Sequence, residues 1–428
     1  MFESAFQQGV KRPGTREMTA LLAGLMALNA VAIDSMIPAL SDIGRSLGVR
    51  HENDVQLVVI AYFLGFASTQ LLWGPLADRF GRKPVLAVGV TLYGAFALVC
   101  AVAASFALLI AARAAMGAAA AVTRVLVVAM VRDLFETEAM ARVMSLVFMT
   151  FMLVPVLAPN MGQLILLFAP WRAIFLVIAA YALIMLLWSW SRLPETLRPE
   201  FRRPLDLRAT GSAMRATLSE RQSLGYTLAM TLSTSALVAY ISSIQQIVFD
   251  GFHEGRFIGL VFACIAAPMA LASWLNSRVV GRFGLRRVGH SAALAFAVVT
   301  AVHAAVALIG AETLWTFILL QGLTMGCFAF TSSNLGTLAM EHMAAIAGTA
   351  ASVQGVVGTI GAAAIGFLIG QQFDGTPVPF VVGTCACAAG AFLLIAVTEP
   401  KRLFAPIDAD PAEQEAARES TAVPEDLG

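Results

Sequence analysis

Three ionisable residues stand out because they lie inside long apolar stretches of the chain. Asp34 lies in the apolar run 18–40, and Arg113 and Arg124 lie in the run 107–131. Burying a charge among apolar groups is costly, so such residues usually bind a proton, an ion or a substrate, or pair with each other. A low dielectric favours the neutral form of a carboxyl group, whereas a nearby cation favours its charged form. We therefore predict that Asp34 binds either a proton or a cationic group.

Arg113 is the predicted partner of Asp34. Asp34 lies six residues before the end of its run (34 to 40), and Arg113 lies six residues after the start of its run (107 to 113). Each is therefore about 9 Å from the same boundary at 1.5 Å per residue. Two alternatives stay open: a static structural ion pair, or a position of Asp34 at the boundary, beside Asp42 and Arg45.

Arg124 follows Arg113 by eleven residues (113 to 124). This spacing is about three helical turns, so both arginines are expected on one helix face. Two cations on one face suit an anionic or carbonyl-rich ligand, or a role in proton gating. The alternative is that Arg124 extends toward a polar boundary or binds a backbone carbonyl.

The composition indicates that these residues are carried by membrane-spanning helices. Of 428 residues, 59% are hydrophobic and 13% are charged, against about 25% charged in an average soluble domain. A spanning helix needs about 20 mostly apolar residues. Twelve runs meet this requirement: 18–40, 55–76, 84–104, 107–131, 140–168, 172–192, 222–248, 256–280, 287–309, 313–340, 345–371 and 377–398. The predicted fold class is an all-α membrane protein with twelve transmembrane helices.

The predicted organisation is two six-helix bundles joined by a basic linker. Five segments are expected: an N-terminal segment 1–17, a bundle 18–192, a linker 193–221, a second bundle 222–398 and an acidic tail 399–428 that is predicted to be disordered. Lys and Arg predominate in the loops on the side of the termini and the linker. By the positive-inside rule, both termini are expected in the cytoplasm.

A short repeat supports the division into two halves. Arg79-Phe-Gly-Arg-Lys83 in the first half is matched by Arg282-Phe-Gly-Leu-Arg286 in the second, each between the second and third spans. Two parallel repeats around a central path are typical of secondary transporters. The alternative, a chance Arg-Phe-Gly coincidence, does not explain the matched positions.

The first copy of this repeat is the most specific motif in the chain. Gly74-x-Leu-Ala-Asp78-Arg79-x-Gly81-Arg82-Lys83 resembles the signature loop of the major facilitator superfamily. From about residue 18 to 200 the chain resembles the superfamily's twelve-helix drug:proton antiporters of the bicyclomycin/chloramphenicol-resistance type. Supporting stretches lie at 32–40, 131–135, 171–175 and 193–197. The resemblance implies a bacterial inner-membrane protein that exports small amphipathic drugs in exchange for protons by alternating access.

The resemblance also assigns roles to residues of the signature loop. Gly74 and Gly81 allow close helix approach, and Arg79, Arg82 and Lys83 hold the loop at the lipid headgroups. The resemblance implies that Asp78 latches onto Arg132, which precedes Asp133 at the end of the fourth span, and onto a helix start in the other half. That contact would favour the outward-open state. The alternative is a solvated turn, and the second copy of the repeat lacks the Asp, which predicts a one-sided latch.

Two further groups of candidate residues follow. Pro155, Pro159 and Gly162 in the fifth span resemble the superfamily's antiporter motif, which is associated with sealing the cavity, although a plain packing kink is the alternative.

The resemblance makes the helices of Asp34 and Arg113 neighbours. The predicted cavity residues, each of which has helix packing or a lipid-facing position as its alternative, are Asp34, Tyr62, Phe66, Arg113, Arg124, Tyr240, Gln245, Asn334 and Gln354.

The sequence departs from the resemblance at two places that concern substrate charge. Met116 stands where many relatives carry a Gln, and the first span has no second carboxylate. A strongly cation-selective cavity is therefore not expected. The runner-up hypothesis is a proton-coupled importer of a small anionic metabolite.

Other functional classes are disfavoured. The sequence has no His-Glu-x-x-His zinc pair, no Gly-x-Ser-x-Gly elbow and no phosphate-binding loop. Its five cysteines lie in apolar runs without metal or disulfide spacing, and the net charge of +1 gives no basic stripe for nucleic acid. We expect no enzyme activity, no cofactor and no metal. The expected partners are the lipid bilayer, a small-molecule substrate and protons, and the expected working unit is a monomer.

Overall fold

A computed structural model describes residues 14–135, 137–197, 200, 207–343 and 346–404. Within these ranges the side chains at 137, 138, 141, 142, 145, 148–153, 155, 156 and 207–210 lie outside the description. The predictions made for residues 1–13, for the tail beyond 404 and for the Pro155 side chain therefore fall outside the described part.

The described residues form helices and their connections, without strands. The first set of helices comprises α1 (Thr15–Asp34), α2 (Leu40–Ser46), α3 (Leu57–Phe80), α4 (Arg82–Ala101), α5 (Phe106–Leu134), α6 (Thr137–Phe168) and α7 (Arg172–Arg192). The second set comprises α8 (Leu207–Ser219), α9 (Arg221–Gln246), α10 (Ile258–Phe283), α11 (Leu285–Leu308), α12 (Leu314–Met340), α13 (Ala347–Gly370) and α14 (Val378–Thr398).

The prediction of an all-α membrane fold is confirmed. In the described residues, 11 segments are long and apolar enough to cross a membrane. The long helix α6, with 32 residues and a described apolar stretch at Leu157–Phe168, supplies the twelfth. Most predicted runs agree with the helices within a few residues, because continuous apolar sequence of this length has few other stable states in a bilayer.

The first span differs from the predicted continuous run 18–40. α1 ends at Asp34, a 3₁₀ turn covers Ile37–Ala39, and α2 then begins at Leu40. Pro38 lies inside this turn, and proline both lacks an amide hydrogen and disfavours helical geometry in the preceding residue. Asp34 is therefore the last residue of a helix that breaks among buried residues.

The linker also contains an element that the sequence analysis missed. α8 packs against α9 and α13, and Ala213 and Thr217, four residues apart, are buried on its inner face. The helix is short and carries polar residues on its other face, so it gives no signal in a search for membrane-spanning runs.

Because successive long helices cross the bundle in alternating directions, its two ends can be defined by connections. The linker end holds the start of α1, the α3–α4 turn at Gly81, the α10–α11 turn at Gly284 and the described residues between 193 and 220. The far end holds the connections 35–56, 247–257 and 371–377. The two sets of helices meet mainly where α3 packs on α13 and α6 packs on α10.

The predicted repeat is confirmed by backbone geometry. Gly81 has φ 100° and ψ 150°, and Gly284 has φ 85° and ψ 151°. Both values lie in a region that side-chain-bearing residues rarely adopt. The two turns between the second and third spans of each set are thus built in the same way.

Candidate substrate and proton site

Asp34 lies at the broken end of α1 and is 3% exposed. The carbonyl oxygen of the next residue, Ser35, touches α6, because a Cβ added at Gly162 would come within 1.8 Å of it. Among the described residues, Asp34 makes no side-chain hydrogen bond or ion pair, and the 3₁₀ turn Ile37–Ala39 that follows it packs on α6 and α9. Since α6 belongs to the first set and α9 to the second, Asp34 lies near the junction of the two sets.

The expected ion pair between Asp34 and Arg113 is not formed in this structure. Arg113 is fully buried and donates from Nε to the carbonyl of Val58 at 2.9 Å and from Nη1 to the carbonyl of Ala32 at 3.1 Å. Ala32 belongs to the last turn of α1, whose carbonyls lack partners within the helix and carry partial negative charge. The guanidinium therefore binds the end of α1 rather than the carboxyl that follows.

Two contacts complete the surroundings of Arg113. Its guanidinium carbon lies 4.6 Å from the centre of the Tyr62 ring and 5.9 Å from that of Phe175, which are distances at which a cation is attracted to the ring face. Its Nη2 is buried without a hydrogen-bond partner. One donor of this buried cation thus stays available to a substrate, a water or a rearranged carboxyl.

Arg124 has a different environment from Arg113. It is the one exposed residue of α5 between Ala112 and Val131 in this fully described stretch. Its neighbour Thr123 accepts a hydrogen bond from Asn29 of α1 at 2.7 Å, and its neighbour Val125 lies 3.8 Å from the Cβ position of Gly74 of α3. The Arg124 side chain therefore leaves α5 between α1 and α3, on the face that it shares with Arg113.

Asn29 is a site residue that the sequence analysis missed. The Tyr62 hydroxyl donates to Asn29 Oδ1 at 3.0 Å, and Asn29 Nδ2 donates to Thr123 Oγ1 at 2.7 Å. A chain of polar groups therefore connects the Arg113 region with the neighbour of Arg124. The signal was present, since Asn29 interrupts an apolar stretch, but an amide carries no charge and was overlooked beside Asp34.

The other predicted cavity residues are spread over several environments. Phe66 is buried on α3, and the Tyr240 hydroxyl is buried on α9 without a hydrogen-bond partner. Asn334 donates to Asn276 Oδ1 at 2.8 Å, and Gln354 donates to Ser223 Oγ at 2.9 Å. These two amides join helices within the second set, which was the alternative given for them.

At the far end, neutral amides join the two sets of helices. We call Asn53, Gln56, Gln246 and Gln371 the far-end amide cluster. Gln56 Nε2 donates to Gln246 Oε1 at 2.6 Å and to the carbonyl of Gly370 at 3.1 Å. Gln246 Nε2 donates to Asn53 Oδ1 at 3.0 Å. Asn53 Nδ2 donates to the carbonyl of Gln371 at 3.1 Å, and Gln371 Nε2 donates to the carbonyl of Asn53 at 3.0 Å.

Further contacts between the sets also lie at the far end. Gln245 Nε2 donates to Ser41 Oγ at 2.5 Å, and Asn160 and Gln163 of α6 each donate to backbone carbonyls at the start of the α10 segment at 3.5 Å. Where both partners are described, the side-chain hydrogen bonds between the sets lie at this end. The structure is therefore closed at its far end.

The signature loop at the linker end makes contacts different from those expected. Arg82, not Arg132, is the partner of Asp78, at 3.3 Å, and Arg82 also donates to Asp133 Oδ2 at 2.6 Å. Arg132 is exposed. The Glu195 carboxylate caps the start of α4 by accepting from the backbone amides of Arg82 and Lys83 at 2.9 and 3.2 Å. The predicted contact between Asp78 and Arg132 is absent in this far-end-closed structure.

The second set has its own ionic network at the linker end. Arg286 binds Glu341 at 2.6 Å and Glu399 at 2.9 Å, and the Tyr226 hydroxyl also donates to Glu399. Burial raises the pKa of Glu399, but hydrogen bonds from Arg286 and Tyr226 outweigh burial and hold this pKa below its usual range. Both sets of helices therefore have ion pairs at the linker end. In the second set, the acidic partners Glu341 and Glu399 lie outside the repeated loop, which itself has no Asp.

Residues 22–366 match the family profile of the Major Facilitator Superfamily. The chain belongs to the Major Facilitator Superfamily. It is therefore a multi-pass membrane transporter, and the twelve-helix arrangement with matched turns at Gly81 and Gly284 is the expected fold of that superfamily.

Individual members of the superfamily carry drug-related names. The chain is 32% identical to the bicyclomycin resistance protein homolog of Haemophilus influenzae, over 84% of this chain and 91% of that protein. It is 28% identical to multidrug resistance protein MdtL of Salmonella schwarzengrund, over 89% of this chain and 95% of that protein. Among solved structures, a D-xylose–proton symporter matches with a TM-score of 0.72 at 14% identity, over 89% of this chain and 96% of that chain. At this identity the last match concerns the fold alone.

Proposed function

We propose that this superfamily member is a multidrug efflux antiporter that exports small amphipathic compounds in exchange for protons. The observation that carries the proposal is Asp34, a buried carboxyl at the junction of the two sets that lacks a fixed cation partner. The relatives named for bicyclomycin and multidrug resistance support an exporter of drug-like compounds.

Asp34 would carry the proton. A buried carboxyl without a counter-ion is far less costly when neutral than when charged. When Asp34 has taken a proton from the far side, it is neutral and can stay buried at the junction of the two sets of helices. When it loses the proton, a state in which water or a cation reaches the carboxylate would be favoured. The Arg113 Nη2 donor, which is free of a hydrogen bond, would then be a candidate to stabilise the carboxylate.

Alternating access would use the two ends of the bundle in turn. The far end is held by neutral amide bonds, each contributing about 0.5–1.5 kcal/mol net, so a modest change in binding free energy suffices to open it. A switch of Asp78 from Arg82 to Arg132 would close the linker end when the far end is open. In this scheme, the far-end-closed structure would be the state whose site is reached from the linker end.

The proposed setting is the bacterial inner membrane, with the linker end and both termini in the cytoplasm. The excess of Lys and Arg in the connections at the linker end supports this orientation. The proposed working unit is a monomer that has lipid, substrate and protons as its partners, does not bind nucleic acid and performs no enzymatic reaction.

The runner-up function is a proton-coupled importer of a small anionic metabolite. Arg113, Arg124 and the single carboxylate of the first span favour it. Proteoliposomes with radiolabelled chloramphenicol, an uncharged amphipathic probe, separate antiport from symport. An antiporter accumulates the probe in inside-acid vesicles, whereas accumulation in inside-alkaline vesicles alone would contradict the proposed exporter.

A further inference from the structure

We propose that Arg124 is a binding site for an anionic group, so that the transporter's preferred substrates are amphipathic compounds that carry a carboxylate. This inference deepens the proposed function and relies on it for the direction of transport, but the binding that it claims needs no transport.

The position of Arg124 is that of a ligand-binding group rather than a structural one. It lies ten residues before the end of α5 at Leu134, which is about 15 Å along the helix axis. It is exposed, although its neighbours Thr123 and Val125 pack on α1 and α3. Its side chain is thus exposed between two helices at a depth where the residues around it on α5 are buried or half-buried.

Arg124 also lacks a compensating charge. In the described part of the chain it forms no ion pair. The described carboxylates other than Asp34 lie in terminal turns of helices or in connections. Arg82, Arg192 and Arg286, which lie at the linker end, each have an acidic partner.

A second cation on the same face points to the same kind of ligand. Arg113 is fully buried, and its Nη2 has no hydrogen-bond partner. The hydrogen-bonded chain of Tyr62, Asn29 and Thr123 runs from the ring beside Arg113 to the residue before Arg124. This face of α5 carries two cations and no carboxylate. An anionic substrate would balance the charge.

The guanidinium group suits this role. Its planar fork of donors binds a carboxylate through two parallel hydrogen bonds, which a compact ammonium cannot reproduce. Arg124→Lys should therefore retain the attraction between charges but lose part of the affinity, and Arg124→Gln should lose both.

The test compares two ligands that differ in charge but have the same apolar body. Binding of radiolabelled 1-naphthaleneacetate and of its neutral amide, 1-naphthaleneacetamide, is measured on the purified full-length protein without a proton gradient. We expect wild-type protein to bind the acetate more tightly than the amide. Arg124→Gln should weaken acetate binding about tenfold to a hundredfold, as expected for a charge-assisted pair, and leave amide binding unchanged.

Arg278→Gln is the matched control, because Arg278 is an arginine of α10 that stacks on Trp274 at 3.9 Å. It should bind both ligands as wild type does, and thermal unfolding confirms that each variant is folded. Equal binding of acetate and amide by wild type, or an equal loss of both in Arg124→Gln, would overturn the proposal. Failure of gradient-driven chloramphenicol transport would instead count against the antiporter function and leave the binding result standing.

Discussion

The carbonyl oxygen of Ser35 lies directly against Gly162, so the chain after Asp34 touches the backbone of α6. A Cβ at Gly162 would lie 1.8 Å from that oxygen and 2.8 Å from the carbonyl carbon. This contact places the break of α1 on the helix that carries the antiporter motif. A movement of α6 is therefore expected to move Asp34.

Gly162→Ala tests this contact. The added methyl group meets backbone rather than a flexible side chain, and such overpacking typically costs about 1–3 kcal/mol. We expect a lower melting temperature and a marked loss of proton-driven chloramphenicol uptake in proteoliposomes. Gly281→Ala is the control, because nothing lies within 4 Å of its Cβ position. Equal behaviour of the two variants would refute the role of the close contact.

Weakening the far-end amide cluster should open the far end. Gln56→Leu removes the donor to Gln246 and Gly370 and leaves Gln246 Oε1 unpaired, at a cost of about 1–3 kcal/mol, while the Gly370 carbonyl keeps the amide of Phe373. We expect a longer distance between spin labels at Arg50→Cys and Thr376→Cys, measured by double electron–electron resonance after replacement of the native cysteines. Gln354→Leu removes a buried amide that bonds only within the second set, so it should leave the distance unchanged. An unchanged distance in Gln56→Leu would contradict the assignment of this cluster as a gate.

Arg82 and Asp133 should be energetically coupled. Arg82→Gln leaves Asp133 without its 2.6 Å partner, and we expect a loss of about 1–3 kcal/mol because the carboxylate is only partly exposed. Asp133→Asn alone should also destabilise the protein, whereas the double variant should lose less than the sum. Thermal unfolding of the four proteins measures the coupling, and strictly additive losses would show that the pair contributes nothing.

The network at Glu399 should be insensitive to pH near neutrality. The pKa of Glu399 is held below its ordinary value of 4.5 by hydrogen bonds from Arg286 and Tyr226, against the effect of burial. A lowered pKa means that the stabilisation is present above the ordinary value and is lost as the pH falls through the folded-state pKa. The difference in melting temperature between wild type and Glu399→Gln should therefore stay constant at neutral pH and shrink only below about pH 4.5. A difference that shrinks between pH 7 and pH 6 would contradict this.

Much of the fold could be predicted because apolar length is a strong constraint in a membrane. The twelve spans and the matched turns at Gly81 and Gly284 follow from runs of about 20 residues and from a repeated Arg-Phe-Gly pattern. The break of α1 at Asp34 was missed because hydropathy does not register a proline turn that stays apolar. α8 was missed because it is short and has a polar face.

The site was only partly predictable. The buried positions of Asp34 and Arg113 follow from charges inside apolar runs, but their pairing was inferred from depth alone. Depth does not say which acceptor a guanidinium reaches, and the carbonyl of Ala32 at the end of α1 is the partner found. The contacts of the far-end amide cluster were not predicted, although its neighbour Gln245 was named as a cavity residue. Neutral amides at the ends of apolar runs look like ordinary loop residues until both sets of helices are in place.

The central claim is that Asp34 couples transport to protons, and one variant tests it most directly. Wild type, Asp34→Asn and the control Asp42→Asn are compared in inside-acid proteoliposomes loaded with a pH-sensitive dye, with chloramphenicol outside. Asp42 is an exposed far-end carboxylate paired with Arg45, so its loss should change little. We expect chloramphenicol to cause proton efflux and to accumulate in wild type and Asp42→Asn, whereas Asp34→Asn should show neither. Gradient-driven accumulation at the wild-type rate in Asp34→Asn would contradict the account.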